Sequence, residues 1–313
     1  MKKKTAAISL DLDNLWSYQK IHGDEGWDKY PSYLQIFIPY VLDVLDELDV
    51  RITFFIVGID AEKPENQTYL RMIVDRGHHI ANHSHNHDSW LQSYSKEQID
   101  EEIARSEAAI ERVTGQKPVG FRGPGFSWSP DLLDVLKARG YTYDTSTLPT
   151  YIGPLARLYY FRQSGLSQKE RKERGELFGT FADGLRKLKP YRWENNLLEI
   201  PVTTIPVFKI PFHLSYLLYI YGISPFLMKV YLEFALFMCS ITGTTINYLL
   251  HPLDLIGNDH IKELSFFPGM KMSSAEKIMA FRMIISRLKR KYDIKSLNDY
   301  AHETLYKCSD TGL

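Results

Sequence analysis

Ile52-Thr53-Phe54-Phe55-Ile56-Val57 carries no charge and is built from β-branched and aromatic residues. Such a run suits a strand covered on both faces, as in a parallel sheet, because each face then meets apolar neighbours. Thr5 to Leu10 is a similar strand upstream of it, and Pro39 to Leu48 between them suits a helix with the proline in its first turn. Downstream, a helix over 66–76 is expected to stop at Gly77, with His79-Ile80-Ala81 as the next strand. Ser95, with Gln98 three residues on, forms a capping-box signature for a charged helix reaching about Thr114 and ending at Gly115. Val119-Gly120-Phe121, a helix over 130–138 and Tyr141-Thr142-Tyr143 continue the alternation. Short strands each followed by a helix predict an α/β fold, a distorted or incomplete (β/α) barrel with its chemistry at the C-terminal strand ends.

The regularity breaks near residue 150. Residues 162–192 are rich in Lys and Arg, Leu198 to Val202 and Ile246 to Leu250 read as late strands, and Ser273 to Tyr292 reads as a closing amphipathic helix. No repeat or low-complexity tract divides the 313 residues, so one domain over 1–313 is expected. The composition, 44% hydrophobic and 24% charged, supports a core of ordinary size. Lys+Arg and Asp+Glu both number 38, which gives no argument for a nucleic-acid partner. Cys239 and Cys308 are the only cysteines, so neither a disulfide framework nor a cysteine-rich zinc site is expected. The opening Met1-Lys2-Lys3-Lys4 is basic, but the apolar run after it stops at Asp11 and Asp13. This reads as the first buried strand rather than an export signal, and the expected location is the cytoplasm.

Two segments carry chemistry. In Ser9-Leu10-Asp11-Leu12-Asp13 two carboxylates end a strand, and alternation puts both on one face. In Asn82-His83-Ser84-His85-Asn86-His87 two histidines lie four apart, which predicts both imidazoles on one side of a helical turn. Two histidines and one carboxylate make a catalytic site for a metal such as zinc. The remaining carboxylate would accept a proton from water. Either segment alone has a bland reading, as a surface histidine or an acidic turn; together they point to hydrolysis.

Here the chain resembles the polysaccharide deacetylases, the family-four carbohydrate esterases with the NodB homology domain. The motifs run in family order: Leu10-Asp11-Leu12-Asp13 resembles the first in a spaced form, Thr53 to Gly58 the second strand, and His83 to His87 the metal motif. Phe121-Arg122-Gly123-Pro124-Gly125-Phe126 resembles the third, Tyr143-Asp144-Thr145-Ser146 the fourth, and Leu249-Leu250-His251-Pro252 the fifth. The resemblance implies a NodB-like barrel and a metal-dependent amidohydrolase that deacetylates an N-acetylhexosamine. It implies Asp13, His83 and His87 as ligands of a divalent metal, most of all zinc, with cobalt, nickel or manganese as substitutes. By the same carry-over Asp11 is the base, His251 the acid, Gly125 an oxyanion donor through its N–H, and Leu249 the wall of the acyl pocket. Arg122 would orient Asp11, and a buried Arg122–Asp144 pair is expected in its support. Relatives that remove formyl groups or open small cyclic amides, and a sugar- or membrane-binding domain without catalysis, are the alternatives.

Residues 203–245 read as an apolar helical insertion. Ile210 to Met228 contains no Asp, Glu, Lys or Arg, yet Pro211, Gly222 and Pro225 break it into pieces too short to span a bilayer. Core helices, a hairpin over 210–240 lying in the membrane interface, and a dimer surface all remain open. Arg186, Lys187, Lys189 and Arg192 would either meet a diphosphate or anionic headgroups or form a solvated loop. The substrate expected on this basis is an amino-sugar glycan or a glycolipid precursor.

Overall fold

The computed structural model describes residues 3–153, 158 and 180–311; residues 162–179 of the basic stretch lie outside the described residues. The chain curls one sheet into a barrel. Its strands are β1 (Lys4–Asp11), β2 (Thr53–Ile56), β3 (His79–Asn82), β4 (Gly120–Phe121), β5 (Tyr143–Asp144), β6 (Tyr191–Arg192), β7 (Leu198–Glu199), β8 (Ile246–Leu250) and β9 (Tyr292–Ser296). The order is β6-β7-β5-β4-β3-β2-β1-β8, with β9 beside the first half of β1. Among the described strand pairs only β6–β7 is antiparallel. Beyond β7, Val202 N donates to Thr147 O at 2.9 Å and Thr203 N to Asn247 O at 3.1 Å, so this segment links β5 to β8 and nearly closes the ring.

The helices are α1 (Leu15–His22), α2 (Leu34–Glu47), α3 (Gly58–Glu62), α4 (Pro64–Asp75), α5 (Lys96–Thr114), α6 (Pro130–Ala138), α7 (Leu214–Ile223), α8 (Pro225–Ile241), α9 (Ser274–Lys291) and α10 (Leu297–Thr311). Helix α2 begins earlier than expected, and Pro39 sits inside it. The buried stripe Leu34, Phe37, Ile38, Val41, Leu42 and Leu45 outweighs an interior proline, whose cost is about 3 kcal/mol. Helices α5 and α9 both open on complete capping boxes, Ser95 with Gln98 and Ser273 with Glu276.

Alternation sorts the core. Ile8, Leu10 and Leu250 face the helix layer, while Ala7, Phe55, Ala81, Tyr143 and Ile200 face the barrel interior. Helix α10 plugs the N-terminal end with Leu297, Tyr300 and Ala301. Its Asn298 N donates to Thr53 Oγ1 at 3.1 Å, and Tyr143 Oη donates to Asn298 Oδ1. Apolar side chains thus fill one end of the barrel. Polar residues gather at the other.

Candidate active site

Parallel register decides which side chains meet at that rim. Ser9 pairs with Thr53 and Leu249, and Asp11 with Phe55, so these side chains share the inner face. His83, Arg122 and His251 each lie one residue past the ends of β3, β4 and β8.

Asp13 Oδ1 is 2.9 Å from His87 Nε2 and 3.5 Å from His83 Nε2. One ligand atom from each of the three lies within 4.8 Å of the others, and all three residues are buried. A tetrahedral zinc ion with bonds of about 2.1 Å would hold its ligands about 3.4 Å apart. The donor set fits such an ion. Asp13 Oδ1 is buried without a well-formed hydrogen bond, and His83 Nδ1 lies 2.7 Å from Arg122 O. A carbonyl only accepts, so Nδ1 carries the proton and Nε2 keeps its lone pair toward the site. Without an ion, burial opposes ionisation of Asp13, but His87 and His83 overcome it and hold the carboxyl well below its usual range. Burial likewise works against a charged His83, yet Asp11 and Asp13 leave its pKa raised.

The expected helical turn across the histidines is absent. Ser84 and His87 adopt left-handed conformations, φ 61° and 54°, which bend the loop so that both rings face Asp13. Glu102 of α5 fixes the bend by accepting from His85 N at 2.9 Å and Asn86 N at 2.6 Å. Gly58 permits the close packing, since a Cβ there would lie 2.6 Å from His85 Nδ1. Spacing alone carries no sign of Glu102, although it is an acid on the buried face of a charged helix.

Asp11 is held from the opposite side. Arg122 Nη1 donates to its Oδ1 at 2.5 Å, while Nη2 donates to Ser9 Oγ at 3.0 Å and Thr145 Oγ1 at 3.2 Å. The guanidinium lies over the Phe55 ring at 4.3 Å. The free Asp11 Oδ2 is 4.0 Å from His83 Nε2 and 3.9 Å from His251 Nε2. Nothing joins Arg122 to Asp144, contrary to expectation. Phe121 pairs with Asp144 across β4–β5, so Asp144 shares the outer face with Phe121 while Arg122 turns inward with Thr145. Asp144 instead accepts from Ser146 Oγ at 2.6 Å and stands beside Glu199, its partner across β5–β7. Burial raises both carboxyls, and the Asp144 charge pushes Glu199 up further, so Glu199 carries the pair's proton.

His251 has a partner that the sequence reading missed. Its Nδ1 lies 3.6 Å from Asp254 Oδ2, which also accepts the His251 N–H at 2.9 Å. Burial would lower the imidazolium pKa, but Asp254, and then Asp11 and Asp13, lift it to about 9. The capping-box spacing of His251 and Asp254 was the available signal. Lys277 of α9 donates to Leu253 O at 2.6 Å and Ile256 O at 2.8 Å, pinning that loop. His213, at the start of α7, is buried 6.2 Å from the His251 ring, and burial, then the His251 charge, lowers its pKa to about 3. His251 itself is 27% exposed in its side chain, against 6% for Asp11, so the site opens on the His251 side.

Gly125 is exposed in the turn Pro124–Phe126 with φ 62°. The turn is tied down where Gly123 N donates to Ser146 Oγ at 2.8 Å. Leu249 is fully buried on the inner face. The arrangement offers a cation pocket, a carboxylate beside it and an imidazolium across from that carboxylate, as metal-assisted hydrolysis requires.

Comparison with known proteins finds a matching family model and several relatives. Residues 24–143 match the family model described as polysaccharide deacetylase. A peptidoglycan deacetylase-like protein of Gibberella zeae is 34% identical over 160 residues, 49% of this chain and 45% of that one. The peptidoglycan deacetylase of Helicobacter pylori is 27% identical over 165 residues, covering 51% and 54%. The chain thus spans about half the length of these curated relatives. A Mycobacterium smegmatis protein assigned as a polysaccharide deacetylase has the same fold, with TM-score 0.60, 19% identity and coverage of 98% of this chain and 92% of that one.

Proposed function

We propose that this chain, whose residues 24–143 match the polysaccharide deacetylase family model, hydrolyses the N-acetyl amide of a hexosamine in a polysaccharide or lipid-linked glycan precursor. The reading rests above all on Asp13, His83 and His87 presenting their ligand atoms to one point beside Asp11. Zinc suits a donor set of two imidazoles and one carboxylate, with cobalt, nickel or manganese as replacements. A divalent ion held there would polarise the amide carbonyl and lower the pKa of water.

The chain's own residues account for the proton movements. Asp11 takes the proton from the attacking water through Oδ2, while Arg122 donates to Oδ1 and orients the carboxylate. His251, held protonated by Asp254, gives its proton to the departing amine. The Gly125 N–H would donate to the developing oxyanion, a backbone role that needs no side chain. Leu249 closes the pocket for the acetyl methyl. On this reading the enzyme works in the cytoplasm, at the inner face of the membrane.

Acetate release from N-acetylglucosamine oligomers by zinc-loaded protein, with metal content measured alongside, tests the proposal. His83→Ala should lose both bound metal and hydrolysis while keeping its circular dichroism. Wild-type protein that keeps full activity after chelation would refute the metal site.

A further inference from the structure

Helix α8 is apolar on two opposite faces, with Lys229 and Glu233 along one flank between them. Met228, Leu232, Ala235, Leu236 and Cys239 pack inward. Phe226, Val230, Phe234, Phe237 and Ile241 form a second stripe, spaced by four, four, three and four residues, that faces solvent. A helix of this kind belongs inside a larger core or against lipid. Beside it α7 exposes Tyr219 and Ile223, one turn apart. No described helix is long and apolar enough to cross a membrane.

Two further segments extend the surface. The turn between Thr204 and Pro211 holds Val207 at φ 73° and Lys209 at φ 56°. A β-branched residue in that conformation is strained, and here the strain leaves Val207 72% exposed. It also sets Phe208 against Phe234, with ring centroids 5.6 Å apart. Lys209 Nζ donates to Arg186 O at 2.6 Å, which joins this turn to the segment carrying Leu185, 79% exposed.

Charge around this surface has one sign. Lys187, Lys189 and Lys229 are exposed on it or at its edge. Between residues 205 and 243 the only acid is Glu233, which Lys291 at 2.7 Å and Arg287 at 3.6 Å neutralise. Asp183 is likewise paired with Arg186 at 2.7 Å.

We propose that this face seats the protein on an anionic phospholipid surface, α8 lying in the plane of the interface with Phe226, Phe234 and Phe237 among the acyl chains and the lysines at the headgroups. The inference deepens the deacetylase reading by naming where a lipid-linked substrate is met. The face leads to the site, because α7 begins at His213 beside His251.

Co-sedimentation of the full metal-loaded chain with vesicles of phosphatidylcholine containing about a third phosphatidylglycerol tests the proposal. Binding should exceed that to pure phosphatidylcholine by about a hundredfold at low salt, the increment expected from three lysines near the surface. Phe226→Ser with Phe237→Ser should lower binding at least tenfold, and Lys187→Glu with Lys189→Glu should abolish the preference for anionic lipid. Met279→Ser, at an exposed apolar residue on α9, should change nothing. Phe226→Trp should shift its emission to the blue when vesicles are added. Protein that stays in the supernatant, or a stable dimer whose formation Phe237→Ser prevents, would overturn the proposal. The assay contains no sugar, so failure here leaves hydrolysis of soluble oligomers untouched, and failure of hydrolysis leaves vesicle binding to be judged alone.

Discussion

Asp11 and Asp144 both end strands and both are buried, but they face opposite sides of the sheet. Asp11 meets a guanidinium and Asp144 meets another carboxyl group. A buried carboxylate survives only with compensation, and the kind of compensation decides its chemistry. Paired with Arg122 through Oδ1, Asp11 keeps its other oxygen toward His83 and His251. Set against Glu199, Asp144 shares a proton, accepts from Ser146 and so braces the turn at Gly123. On the proposed mechanism the inner face transfers protons, and the outer one holds the rim in shape.

The largest effect should come from the inner base itself. Asp11→Asn keeps the volume and the Arg122 contact but cannot take a proton, and kcat should fall about a thousandfold. Metal content measured on the same sample should be unchanged, which separates loss of the base from loss of the ion. Retention of more than a tenth of the activity would remove Asp11 from that role.

His251→Ala should follow, lowering kcat about a hundredfold with little change in KM, because the proton it supplies is needed only as the amine departs. Asp254→Asn should act more gently and in a different variable. The Asp254 carboxylate raises the His251 pKa, so its removal lowers that pKa. In the proposed role the acid form of His251 is the active one, so in wild type the alkaline limb of kcat/KM should lie at or below about 9, since a nearby cation would also repel the imidazolium. In Asp254→Asn the limb should move to still lower pH. A pH–rate profile with both limbs in place would show Asp254 to be merely structural.

These features were not equally legible in the sequence. Local devices were: the capping box at Ser95 depends on residues three apart and appears where expected. His83 and His87 could be singled out by spacing, but the loop that orients them depends on Glu102, contributed by a distant helix, and on left-handed Ser84 and His87. The expected Arg122–Asp144 pair failed on parity, since it required knowing that β4 and β5 align Phe121 with Asp144. A one-residue difference in register exchanges inside for outside. Helix α10 went unnoticed because its apolar residues Leu297, Tyr300 and Ala301 acquire meaning only once a barrel interior exists to receive them. Pro39 misplaced the start of α2 because tertiary burial there exceeds the local penalty.

Asp144→Asn, the counterpart on the outer face, should have the smallest effect. An amide oxygen can still accept from Ser146, so the turn at Gly123 should keep its place and kcat/KM should remain within about threefold of wild type, as a single neutral hydrogen bond permits. The signature lies instead in stability against pH. Glu199 has a folded pKa well above its ordinary value, from burial first and the Asp144 charge second. Its contribution is therefore fully present below the ordinary carboxyl range and is lost as pH rises through the raised pKa. Wild-type melting temperature should fall as pH rises above that ordinary range. With Asp144 neutral one cause of the shift is gone, so the fall in Asp144→Asn should be shallower. Melting curves at several pH values would reveal the difference in slope, and a catalytic loss as large as that of His251→Ala would show that the two faces do not divide the work in this way.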